Sequence, residues 1–188
     1  MNTTSASVVR ARFAAPIWTL VLLAPFIAEV LSGSTRTSIL FVFIPEVMVW
    51  GIGALFCRDL VRRWRGGGVS LLLLGLALSV AEEFIIQQTS LAPLPFPGSH
   101  AGYGRIWGIN LVYLLFMLGF ESVWIVLVPA QIIELFFPAK AAIPWLRPRG
   151  IVVSCILFFI GCRIAWYGWT QQARPRLHAA AYHPPLVM

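Results

Sequence analysis

Two adjacent glutamates, Glu82 and Glu83, stand inside a run of apolar residues from Val69 to Leu91. Ser79, Glu83, Gln87 and Ser90 recur at i, i+4, i+8 and i+11, one stripe of an α-helix, with Glu82 turned about 100° away. Other apolar runs enclose Glu46, Glu121 and Arg163, and Asn110 shares a helix face with Glu121, eleven residues on. A charged side chain at the centre of a bilayer costs from about 2.5 to more than 10 kcal/mol, so such groups need a reason to be there. Carboxyls held out of water can relay protons, hold a cation or activate a water for hydrolysis. They can also be packing glue, protonated or paired with Arg163, and joined to Gln87, Gln88 and Asn110 by hydrogen bonds of about 0.6–2 kcal/mol each.

Other chemistries lack the residues to run on. His100, His178 and His183 fall in loops or the tail, and there is no H-E-x-x-H, Gly-rich phosphate loop or G-x-S-x-G. Cys57, Cys155 and Cys162 form no C-x-x-C pair and sit in or beside apolar runs, where free cysteine behaves as a small hydrophobe. No metal site and no cofactor is expected.

The elements that must position the acids follow from composition. Of 188 residues, 59% are hydrophobic and 11% charged, a balance that excludes soluble enzymes, secreted disulfide scaffolds and disordered regulators. The expected fold is an all-α integral membrane bundle of about five transmembrane helices: Phe13 to Leu31, Ser38 to Cys57, Val69 to Leu91, Ile106 to about Val128, and Ile151 to Thr170. Residues 1–12 read as a cytoplasmic N-terminal segment, 13–170 as one transmembrane domain and 171–188 as a polar tail. The first run reads as a retained anchor, because it lacks an A-x-A-like site and four more spans follow. Apolar character from Ile106 to Phe137 leaves two readings: one span followed by an interfacial turn that exposes Glu134 to headgroups, or a steeply tilted single helix. Glu29, one turn from a helix end, reads as interfacial, and Trp18, Trp50, Trp107, Trp145, Trp166 and Trp169 as belt residues.

The net charge of +7 comes from basic residues spread between apolar runs, which points to topology and not to nucleic acid. With the N-terminus inside, nine basic residues (Arg10, Arg12, Arg58, Arg62, Arg63, Arg65, Lys140, Arg147, Arg149) face the cytoplasm and four (Arg36, Arg105, Arg174, Arg176) lie outside. The expected location is a bacterial cytoplasmic membrane, with membrane lipids as partners. At 1.5 Å per residue, Glu46, Glu82, Glu83 and Arg163 fall about 11–14 Å below the outer boundary, predicting one shared cavity. Glu121 comes out roughly 10 Å deeper.

Ala81-Glu82-Glu83-Phe84-Ile85-Ile86-Gln87 resembles the E-E-x-x-x-R motif of the CAAX protease and bacteriocin-processing family, multi-pass intramembrane endopeptidases. The resemblance covers one helix and implies that Glu82 and Glu83 activate a water against a hydrophobic or membrane-embedded peptide. Gln87 stands where the motif has arginine. The F-x-x-x-H element would fall around Met117 to Glu121, where both defining residues differ, and the last histidine-and-asparagine element has no counterpart near Ser154 to Arg163. The resemblance therefore implies a degenerate or inactive relative. Residues 102–105 and 108–110 also look like those of multi-pass bacterial membrane proteins without an assigned activity. The alternative class is a small proton- or cation-coupled transporter or accessory subunit, in which the same carboxyls carry the ion.

Overall fold

The structure, a computed structural model, describes residues 3–35, 37–91 and 104–173. The three histidines, Arg36, the segment 92–103 and the tail beyond 173 lie outside the described residues, and so do the side chains of Arg10 and Arg12.

Among the described residues, five helices are long and apolar enough to cross a membrane: Ala14–Leu31 (α1), Leu40–Arg63 (α2), Gly68–Ile86 (α3), Leu111–Phe136 (α4) and Pro148–Gln172 (α5). The expected all-α architecture holds. α1 continues a helix that starts at Thr3, and the last helical residues run to Ala173, past the boundary drawn at 170. A two-stranded antiparallel hairpin, Arg105–Ile106 (β1) with Ile109–Asn110 (β2), replaces the expected helical start at Ile106. Its turn residues Trp107 and Gly108 both have positive φ (50° and 82°), the geometry that matches the twist of a two-residue hairpin.

α4 is one helix through Phe136, not a span with an interfacial turn. Pro129 is tolerated because it sits at the start of the α-helical stretch Val128–Phe136, just after the π-helical stretch Glu121–Leu127. There the i→i−4 ladder is already interrupted, so a missing N–H costs little. Close approach of α3 and α4 needs Gly75, since a Cβ there would lie 3.0 Å from the Ser122 carbonyl oxygen. Leu20, Ala24, Ala54, Leu71, Ile125 and Ile133 fill the centre, while Leu22, Leu73, Leu115, Phe116 and Phe159 lie exposed on the outside. A bundle apolar on both faces suits hydrocarbon as its solvent.

One end of the bundle is tied by a polar knot. α2 extends to Arg63, past the predicted end at Cys57, and carries Arg58 with 0% exposure. Arg58 Nε donates to Glu134 Oε1 (3.0 Å), and its terminal nitrogens donate to the carbonyls of Lys140, Ala141 and Ile143 at 2.6–2.9 Å. The Trp145 ring lies 3.6 Å from the guanidinium. Arg62 grips Glu134 through two bonds of 2.8 and 2.5 Å. Asp59 Oδ1 accepts from the backbone N–H of Trp145 and Leu146, and Oδ2 accepts from Arg63 at 2.8 Å. Glu134, expected to face headgroups, is thus buried at 8% exposure, and Trp145, expected in an aromatic belt, is buried beneath Arg58.

Candidate functional site

The seam between α3 and α4 gathers the predicted acids. On α3, Leu71, Gly75, Ser79, Glu82, Glu83 and Ile86 are buried, a stripe at spacings of three and four that faces the other helices. From Glu82 to Ile86 the helix widens into a π-turn, with one residue more than an α-turn holds. The extra residue lets both adjacent glutamates turn inward, and their exposures are 1% and 0%. Glu121 opens the π-turn of α4 at 2% exposure and stands near Ser79 and Glu82. The depth estimate that separated Glu121 from the pair is corrected, because the fourth span starts at Leu111 and not at Ile106.

Glu83 is held in place. Its Oε2 accepts from the hydroxyls of Thr89 (2.7 Å) and Ser90 (2.5 Å). The stripe that singled out Ser90 assumed an unbroken helix, whereas the chain leaves the helix after Ile86 and Gln88 adopts φ 59°. Ser90 therefore reaches Glu83 from a turn. The hairpin fixes that turn: Asn110 N–H donates to the Ser90 carbonyl (2.9 Å), and Arg105 donates to the Leu91 carbonyl (2.7 Å). Asn110 is buried, but as a helix cap, its side-chain oxygen accepting from Tyr113 N–H at 3.1 Å. It holds the scaffold of Glu83 and does not enter the seam beside Glu121.

Glu82 and Glu121 are treated differently. Both oxygens of each are buried and complete no hydrogen bond of good geometry among the described residues, with the Gln87 side chain near Glu82 and the Ser79 side chain near Glu121. Nor does any described arginine or lysine pair with Glu29, Glu46, Glu82 or Glu121; the ion pairs all belong to the knot at Arg58, Arg62 and Arg63. Among the described residues no three His, Cys, Asp or Glu side chains converge as metal ligands would.

A second group lies between α1 and α2. Glu29, expected at an interface, accepts from Trp50 Nε1 (3.2 Å) and lies 3.2 Å from the Thr35 hydroxyl. The same hydroxyl lies 2.9 Å from Glu46 Oε1. Trp50 is buried, not a belt residue. Glu29 also acts electrostatically on Glu82 and Glu121, so the two groups form one acidic interior. Each acid sits at a π-turn: Glu29 within Phe26–Leu31, Glu46 immediately before Val47–Gly51, Glu82 and Glu83 within Glu82–Ile86, and Glu121 at the head of Glu121–Leu127. Such turns are enriched at functional sites.

Arg163 does not join the acids. It is exposed on the outside of α5, and its guanidinium lies 4.4 Å from the centre of the Trp166 ring, one turn further along. The shared depth that predicted a cavity with Glu46 and Glu82 carried no information about the direction in which Arg163 points. Gln87 lines a cavity with Glu46 and also lies near Glu82. The sequence carried a signal for Thr35 and Thr89 only as small polar residues near helix ends. No family model, curated protein or solved structure matches the chain.

Proposed function

We propose that the chain is an integral membrane protein of a bacterial cytoplasmic membrane, its N-terminus inside, and that Glu82, Glu83 and Glu121 bind and pass protons as part of a small transporter or accessory subunit. The observation that supports this most is the pair Glu82 and Glu121: two buried neighbouring acids with no counter-ion among the described residues. The chemistry open to such groups is gain and loss of a proton, because a neutral acid needs no counter-ion in hydrocarbon. Glu83, steadied by two hydroxyls, is a neighbouring acceptor. Proteoliposomes carrying the full chain should take up protons down an imposed gradient, and Glu82→Gln and Glu121→Gln should each abolish the uptake. Unchanged uptake in both variants would overturn the reading.

A second reading, an intramembrane hydrolase related to the CAAX proteases, is favoured by one specific observation. Glu121 lies where the family's F-x-x-x-H element would fall, and it faces the glutamate pair. Cleavage of a peptide library by purified protein, lost in Glu82→Gln and Glu83→Gln alike, would select this reading. Proton uptake without cleavage selects the first.

A further inference from the structure

A cavity of about 550 Å³ opens between α2 and α5, with Gln87 from the end of α3 on its wall. Phe41, Val49 and Ile164 make it apolar, and Trp50 and Trp169 contribute indole rings. Among the described residues, Glu46 is the one ionisable side chain of its lining. Glu46 Oε1 faces the Thr35 hydroxyl, while Oε2 is buried and meets no donor among the described residues. The Thr35 hydroxyl has a single hydrogen, and it stands between Glu46 and Glu29, so it satisfies only one of the two acids at a time. Glu46 therefore brings a carboxyl to a cavity whose other described walls are apolar and aromatic side chains and the amides of Gln87 and Gln172.

These features select a ligand chemistry. An anion would be repelled by Glu46. A neutral acyl chain would fill the space but leave the Glu46 carboxyl unmatched, a cost of about 1–3 kcal/mol. A small metal ion wants several oxygen ligands, and no such convergence exists among the described residues. A bulky organic cation suits this lining: its charge meets the carboxylate, its apolar groups meet Phe41, Val49 and Ile164, and indole rings are favourable neighbours for a cation. We propose that this cavity binds a lipophilic organic cation, a quaternary ammonium or phosphonium in chemical class, with Glu46 as its counter-ion. The proposal goes beyond proton uptake at Glu82 and Glu121, because the acid that lines this cavity is Glu46.

The test uses two ions of matched shape and opposite charge, with the full chain in lipid nanodiscs. Tetraphenylphosphonium should bind saturably in equilibrium dialysis, and tetraphenylborate should fail to displace it. Glu46→Gln should weaken binding at least tenfold. Gly168→Leu provides a second variant: a Cβ at this cavity-lining glycine meets nothing within 4 Å, so the new side chain grows into free space and should block the ligand without disturbing the backbone. Displacement by tetraphenylborate as effective as by unlabelled cation, or wild-type affinity in both variants, would overturn the proposal and leave a groove for lipid chains.

Discussion

Two buried acidic regions of this bundle are built on opposite plans. At the Arg58 knot, Glu134 is met by two guanidiniums, and the backbone carbonyls of residues 140, 141 and 143 take the remaining donors of Arg58. In the α3–α4 seam, Glu82 and Glu121 have comparable burial and no cation among the described residues. The same residue type is a structural tie in one place and an uncompensated group in the other. Partner supply, not burial, separates them. A paired buried charge is costly to break, whereas an unpaired acid contributes little that its removal could forfeit.

That contrast can be broken by making one substitution in both regions. Glu134→Leu strands Arg58 and Arg62 and should cost about 3–5 kcal/mol, read as a lower midpoint in detergent-solubilised unfolding. A loss below about 1 kcal/mol would remove the distinction drawn here. Asn110→Ala should cost about 1 kcal/mol through the lost cap on α4. The same change should loosen the turn that carries Thr89 and Ser90, seen as faster hydrogen exchange at Leu91 and Tyr113 than at Leu71. Glu121→Leu should be the mildest, within about 1 kcal/mol of wild type or more stable, because an apolar group replaces an acid with no partner. Destabilisation by Glu121→Leu equal to that of Glu134→Leu would show that the seam holds the fold together.

The apolar runs were legible because span length is a property of consecutive residues, and all five recur as helices. Their ends were not. Arg58 to Arg63 read as a loop because the groups that bury Arg58, at Glu134 and Lys140 to Trp145, lie far along the chain. The hairpin at Arg105 to Asn110 escaped because each strand has two residues, too few to show alternation. Glu82, Glu83 and Glu121 were found as acids in apolar sequence, but helical periodicity assumes a constant turn, and the π-turns alter the phase where it mattered. Arg163 failed for a local reason: a ring three residues further on, at Trp166, gives the guanidinium company on the exposed face.

The knot at Arg58 also sets an order of assembly. Arg58 and Glu134 are 76 residues apart, and Asp59 reaches Leu146 across 87. During synthesis α2 is complete long before either partner exists, so the four charged residues at its end, Arg58, Asp59, Arg62 and Arg63, wait at the edge of the nascent bundle. Closing so long a loop carries an entropic cost that short-range contacts do not, and it is recovered only when the whole set of bonds forms. The knot is accordingly a late clasp. α1 to α3 must find one another without the knot, through apolar packing and the contacts of Glu29 with Thr35 and Trp50, and the arrival of residues 134–146 then locks the bundle.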